Sequence, residues 1–458
     1  MPAQPRVAVV GAGPSGLYAA AALLASEVPV DVDVLDRLPA PYGLVRYGVA
    51  PDHVKMKSVI RVLQKPFDDG SRVRFLGNVR VGEGGIPLDV LREHYHAIVH
   101  ASGSSVDRAL GIPGEELDGS HGSGAFVSWY CGHPDFVDLD PLLDHPGVVV
   151  VGAGNVALDV ARVLARGHAE MAGTDVPDQV LETLRGSAVA DVHVVIRRGP
   201  EHVKFTPAEL RQIGDLEGVQ VLVHDDGVLA AGIPDAVVDE MDRRQKQNLA
   251  LLTEWSAHTP GDAPRRIHLH FLRTPVRLLE EGGRVAGMVV ERNEVRDGKV
   301  VGTGEEETLR AGLVVRAIGY SGEPIPGLPY DERNGIVPND AGRVVDGDRP
   351  VPGAYVTGWI KRGPTGVIGT NKHDAVETVA SLLDDLHTLP DPEYPDPGSV
   401  VERLEAYGIE PVTWSDWERL DAEELRLGEA RGGAERVKVA ELGEMLAAAR
   451  GRTGAPAS

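Results

Sequence analysis

Two glycine-rich turns in the 458-residue chain have the spacing to hold a pyrophosphate: Gly11-Ala12-Gly13-Pro14-Ser15-Gly16 and Gly152-Ala153-Gly154-Asn155-Val156-Ala157. In each, the first glycine permits a sharp bend and the second lets the backbone approach the phosphates. The third position, Gly16 or Ala157, lets a helix pack closely on a strand. Free N–H groups and the dipole at the helix N-terminus then favour the anion. Asp36 stands where a carboxylate accepts hydrogen bonds from a ribose diol, and it would repel a 2′-phosphate, so FAD or NAD suits the first turn. The corresponding place in the second unit holds Arg197-Arg198, a pair matched in charge and geometry to a 2′-phosphate, which points to NADP(H).

These residues need strand–turn–helix units to position them. The β-branched run 7–10 leads into the first turn, a helix is predicted over 17–25, and a second strand over 30–35 ends in Asp36-Arg37. The pattern returns as a strand at 148–151, a helix running to 164 and a strand at 192–196 that ends in Arg197-Arg198. Further strands are predicted at 97–101, 266–272, 287–292, 313–318 and 354–357. The fold class is α/β, with two Rossmann-like three-layer dinucleotide-binding domains. The Pro-rich acidic stretch 390–397 reads as a linker or surface excursion, and helices are predicted over 417–430 and 440–450. Residues 451–458 have the composition of a disordered tail.

Composition narrows the function classes. Cys131 is the only cysteine, which excludes a disulfide, a CxxC redox pair and an all-cysteine iron–sulfur cluster within the chain. Redox electrons must therefore sit on a bound organic cofactor. No metal-ligand set is read from the sequence. A net charge of -23 argues against nucleic-acid binding. No apolar run reaches about 18 residues, so no membrane span is expected, and the start of the chain lacks signal-peptide features. A cytoplasmic protein is expected.

A third glycine-rich stretch, Gly363-Pro364-Thr365-Gly366-Val367-Ile368-Gly369-Thr370, follows Gly358-Trp359 and leads to a helix predicted to begin near Asn371. A helix N-terminus there would favour a reduced, anionic flavin, although a plain strand-to-helix connection reads equally well. Trp359 suits a ring system or a core, and His53 is one of 16 histidines. Glu209 lies three residues after Thr206, so a capping box is the better reading of that pair.

Four stretches in order make the chain resemble the adrenodoxin reductase family of ferredoxin–NADP(+) reductases, particularly its actinobacterial members. They are Val9-Val10-Gly11-Ala12-Gly13-Pro14-Ser15-Gly16, Tyr42-Gly43-Leu44-Val45-Arg46-Tyr47-Gly48-Val49-Ala50-Pro51-Asp52-His53, Gly154-Asn155-Val156-Ala157-Leu158-Asp159-Val160-Ala161-Arg162 and the stretch from Gly358 to Asn371. The resemblance implies FAD contacts from Ser15, Asp36, Leu44, Val81, Trp359, Gly366, Val367 and Ile368. It implies NADP contacts from Arg108, Asn155, Val156, Ala157, Leu158, Arg197, Arg198, Glu209 and Gly366, and roles in catalysis for His53 and Glu209. Asp36 stands where the family commonly has Glu, Tyr42 where Trp is common, and Gln212 where an acid is frequent.

The family's activity would pass hydride from NADPH to FAD and then single electrons to a ferredoxin-type iron–sulfur protein, supplying haem-thiolate monooxygenases or other ferredoxin-dependent enzymes. An acidic ferredoxin requires a local basic patch on so acidic a chain, for which Arg211, Arg243, Arg244 and Lys246 are candidates. An FAD- and NADPH-dependent monooxygenase is the alternative. A monomer is expected, with FAD-binding segments at 1–105 and 327–458 around an NADP domain at 106–326.

Overall fold

The computed structural model describes residues 4–68, 72–296 and 298–452. Its strands form two large sheets, and one of them is built from both ends of the chain. In that seven-stranded sheet, Arg349–Val356, Ala97–His100, Arg6–Val10, Asp31–Leu35 and Val73–Leu76 lie side by side and parallel. Two short antiparallel strands, Arg343–Asp346 and Asn339–Asp340, complete its edge. The pairing of Ala354 with Ile98 and Val356 with His100 closes a gap of about 250 residues in sequence.

The intervening chain makes the second sheet. Its six parallel strands run in the order Ser120–Gly122, Leu313–Arg316, Gly147–Val151, Asp191–Val195, Arg265–His270 and Val219–His224. Parallel strands covered on both faces read as unbroken apolar runs, and Gly147–Val151 is buried at all five positions. The two crossings between the sheets pair with each other, as Val106–Asp107 against Tyr320–Ser321.

Most predicted elements are present with ends shifted by one to three residues. The predicted strand 287–292 is only the centre of a 13-residue strand, Arg284–Arg296, in an antiparallel meander with Arg273–Glu281 and Lys299–Arg310. The meander's outer strand is almost wholly exposed and carries Glu305-Glu306-Glu307, so it has no apolar face to betray it. The short helices Leu44–Tyr47, Val54–Lys57, Ile60–Leu63 and Lys65–Asp68 were likewise not anticipated.

The stretch 390–397 is a surface excursion rather than a linker. The ring of Tyr394 stacks on His94 at 5.2 Å, and the Asp396 carbonyl accepts from Arg6 Nη1 at 3.2 Å. The helix Trp414–Arg431 belongs to the first body's core, burying Trp417 and Leu420. Its Glu424 forms a fully buried ion pair with Arg46. Of the expected tail, Gly451 and Arg452 close the helix Leu442–Ala449, and 453–458 lie outside the described residues.

Candidate functional site

Both large sheets carry their glycine turns at the carboxyl ends of parallel strands, beside a neighbour whose connection leads the other way, which is where open α/β sheets bind ligands. Gly11 adopts φ +113°, and a Cβ there would lie 2.5 Å from the Ala101 carbonyl oxygen. A Cβ on Gly16 would lie 1.9 Å from the Gly11 carbonyl oxygen, so the helix Pro14–Leu24 sits directly on the turn. Its N-terminus has no side-chain cap and no acid in its first turn, which leaves its N–H groups for an anion. Ser15 is buried beneath Gly358, where a Cβ would collide with the Ser15 hydroxyl. The first turn and Gly358, just before Trp359, therefore share one crevice.

The Asp36 carboxylate accepts from Ala12 N at 2.7 Å and Leu38 N at 2.9 Å, which ties the strand end to the turn. Burial raises its pKa against those two N–H groups, and lone pairs remain on both oxygens for a diol. Opposite it, Tyr42 is held at φ +83°, a conformation costly for a side chain of that size, with its N–H on the Ala12 carbonyl at 2.8 Å. Its ring meets Trp417 edge-on at 5.8 Å. Leu44, at the start of the helix Leu44–Tyr47, and Val367, in the loop before the helix Thr370–Asp385, are apolar yet 43% and 73% exposed, and Ile368 is half-buried. Val81 is half-buried, two residues beyond Val79, whose N–H bonds the Asp36 carbonyl. Gly366 takes φ +84° at the bend.

The second turn repeats the arrangement. Gly152 abuts the Ala317 carbonyl, whereas a Cβ on Gly154 would meet nothing within 4 Å, so that backbone is open to a ligand. Helix Asn155–Ala165 also begins without a side-chain cap or an early acid. Val156 is half-buried, Ala157 and Leu158 are buried, and the Ala157 N–H bonds the Gly154 carbonyl at 3.0 Å. Arg197 and Arg198 are exposed, and among the described residues neither makes an ion pair. Their backbone is anchored, because Asn293 Nδ2 donates to the Arg197 carbonyl and Leu272 N to that of Arg198. The residues thus fit a dinucleotide at each turn, with a 2′-phosphate accommodated only at the second.

Arg108 lies on the crossing between the sheets, its Nε donating to the Tyr320 carbonyl at 3.0 Å. Tyr320 stacks on Trp359 at 6.2 Å with planes 16° apart, a pair not visible in the sequence.

His53 and Glu209 come together from different bodies. His53 Nε2 lies 3.1 Å from Glu209 Oε2 and 2.9 Å from Asp159 Oδ1. Fully buried Arg162 contacts Asp52 at 2.6 Å, Asp159 at 2.8 Å and Glu209 at 3.3 Å. Arg166 also pairs with Asp52. Arg166 also reaches Glu170, and Arg162 Nη2 lies 2.6 Å from His53 Nε2, so His53 sits between carboxylates that favour its protonation and a guanidinium that opposes it. Burial alone would lower the His53 pKa, but its hydrogen bonds to Asp159 and Glu209 hold it up at about 9. The expected capping box is only half formed: Thr206 accepts from Glu209 N, but the Thr206 N–H goes to Asn155 Oδ1 at 2.8 Å. That frees the Glu209 carboxylate for Arg162. Asp52, Asp159 and Arg162 stand inside the stretches that carry the family resemblance, and the i, i+3 spacing of Asp159 and Arg162 is the physical signal they offer. Gln212 is half-buried one turn further along the Glu209 helix.

Residues 5–213 match the pyridine nucleotide-disulphide oxidoreductase family model, although one cysteine leaves this chain without the dithiol of that name. The chain is 43% identical to the NADPH-ferredoxin reductase FprA of Mycobacterium leprae, over 96% of this chain and 97% of that protein. It is 41% identical to human mitochondrial NADPH:adrenodoxin oxidoreductase, over 96% and 91% of the two chains. The solved structure of Mycobacterium tuberculosis FprA in complex with NADPH superposes with a TM-score of 0.90 at 42% identity, covering 97% of this chain and all of that one. The chain belongs to the adrenodoxin reductase family of NADPH–ferredoxin reductases. As a member of that family the chain uses FAD and NADP(H). None of the helices among the described residues is long and apolar enough to cross a membrane.

Proposed function

We propose that this protein carries electrons from NADPH through FAD to a ferredoxin-type iron–sulfur protein, and so serves ferredoxin-dependent enzymes such as haem-thiolate monooxygenases. The observation that carries the reading is the contrast between an acid at one nucleotide turn and two unpaired arginines at the other. FAD supplies the conversion of a two-electron donor into a one-electron donor. The chain's part is to bind and align. Gly11, Gly13, Ser15, Gly16 and Asp36 hold the FAD pyrophosphate and ribose, and Leu44, Val81, Trp359, Gly366, Val367 and Ile368 line its ring. Gly152, Gly154, Asn155, Val156, Ala157 and Leu158 receive the NADP pyrophosphate, while Arg197, Arg198 and Arg108 meet its outer phosphates and Gly366 its nicotinamide end. His53, held by Asp159, Glu209 and Arg162, locks the Asp52-His53 segment onto the helices that carry Arg162 and Glu209, so the two rings meet in one orientation.

The division at 1–105, 106–326 and 327–458 follows the change of sheet. A cytoplasmic monomer is the working form. Arg211, Arg243, Arg244 and Lys246 are exposed and, among the described residues, free of ion pairs, which suits docking of an acidic ferredoxin. The test is an anaerobic titration with NADPH and with NADH, followed at the flavin absorption band, with ferredoxin added afterwards. Bleaching by NADPH at far lower concentration than NADH, then recovery on adding ferredoxin, is the expected outcome; a colourless protein refutes the reading.

A further inference from the structure

The second sheet carries four histidines on one face, outside the residues assigned above. In the parallel register His193 pairs with His268, and His270 with His224, so all four point the same way from three adjacent strands. His193 Nδ1 lies 3.0 Å from His270 Nε2, and His224 Nε2 lies 3.0 Å from His268 Nδ1. One ring nitrogen from each of His193, His268 and His270 falls within 4.8 Å of the other two. Zinc–imidazole bonds of about 2.0–2.1 Å set tetrahedral ligands roughly 3.3 Å apart, near the 3.0 Å between His193 and His270 and inside the 4.8 Å that bounds all three. The outer nitrogen of His268 is already engaged, since its Nε2 meets Asp191 Oδ1 at 2.9 Å. A carboxylate that orients a ligating imidazole through its far nitrogen is the usual support of such sites.

We propose that His193, His268 and His270 form a binding site for a borderline-soft divalent transition metal of the zinc class, with Asp191 orienting His268. His224 lies at the edge of the three, its Nε2 against His268 Nδ1. Three nitrogens and an open position suit zinc, nickel or copper better than magnesium or calcium, which prefer oxygen. The site joins the strands Asp191–Val195, Arg265–His270 and Val219–His224, and Leu272, two residues past His270, bonds the Arg198 carbonyl. A bound ion would therefore clamp the sheet end that carries the arginine pair.

The test uses flavin-loaded holoenzyme, treated with chelator, dialysed against zinc chloride near neutral pH and assayed for retained metal. About one zinc per chain is expected, with three imidazole nitrogens at about 2.0 Å by X-ray absorption and a raised melting temperature. His193→Asn with His270→Asn should abolish retention. Should that double variant lose its flavin, Asp191→Asn provides the milder case, with affinity expected to fall roughly 10–100-fold. Absence of retained zinc, a shell of oxygen ligands only, or equal retention by the variants would show the four rings to be a hydrogen-bonded ladder and overturn the proposal.

Discussion

Replacing Arg197 and Arg198 together by Ala tests the assignment of the second nucleotide site. Both guanidinium groups are exposed and engage no acid among the described residues, so a 2′-phosphate displaces only water from them. A charge-assisted hydrogen bond contributes about 1.5–3 kcal/mol, and exposure keeps each arginine near the lower figure. Two such contacts amount to about 3 kcal/mol, or roughly a hundredfold in affinity at 1.4 kcal/mol per decade. Their backbone is held independently by Asn293 and Leu272, so the variant keeps the local fold. The assay is steady-state reduction of an artificial acceptor with NADPH and with NADH, at low salt and again at higher salt. KM for NADPH should rise roughly a hundredfold at low salt and less at high salt, while KM for NADH stays within about threefold. An equal loss with both nucleotides, or no loss with either, would refute the reasoning.

Gly154→Ala should fold normally, because its Cβ meets no atom within 4 Å, yet raise KM for NADPH and NADH alike by obstructing the pyrophosphate. Gly11→Ala, strained at φ +113° and 2.5 Å from the Ala101 carbonyl, should purify with little flavin, read as the absorbance ratio of flavin to protein. His53 has a folded-state pKa raised to about 9, so its stabilisation is complete below about pH 6.5, declines as pH rises through 9 and is absent above. Urea unfolding of wild type and His53→Gln should therefore differ more at pH 6 than above pH 9, by about 1–2 kcal/mol once solvent screening of the partly exposed ring is allowed for. Glu424→Ala, which strands a buried Arg46, should cost about 3–5 kcal/mol in denaturant unfolding. Charge reversal of Arg243 and Arg244 should slow ferredoxin reduction at low salt without changing reduction of the flavin by NADPH.

Much of this molecule was legible along the chain. Gly11, Gly13 and Gly16, with Asp36 at the end of the next strand, make a local unit: strand, turn and helix are contiguous, and only glycine tolerates the contact with Ala101. The same holds for Gly152 and Gly154 with Arg197-Arg198, and the contrast between acid and base requires no tertiary knowledge. Elements buried on both faces announced themselves as apolar runs, as at Gly147–Val151, whereas the exposed strand Lys299–Arg310 had no periodicity to read. What only the tertiary structure decided are the meetings of distant segments. Asp52 and His53 reach Arg162 and Glu209 from the other body, Trp359 finds Tyr320, and Arg46 is neutralised by Glu424, 378 residues away. His193, His224, His268 and His270 share a face only because the parallel register of three strands places them there. Each of these depends on burial removing water from charged or aromatic groups that must then find partners across the fold, and sequence spacing carries no trace of such a partner.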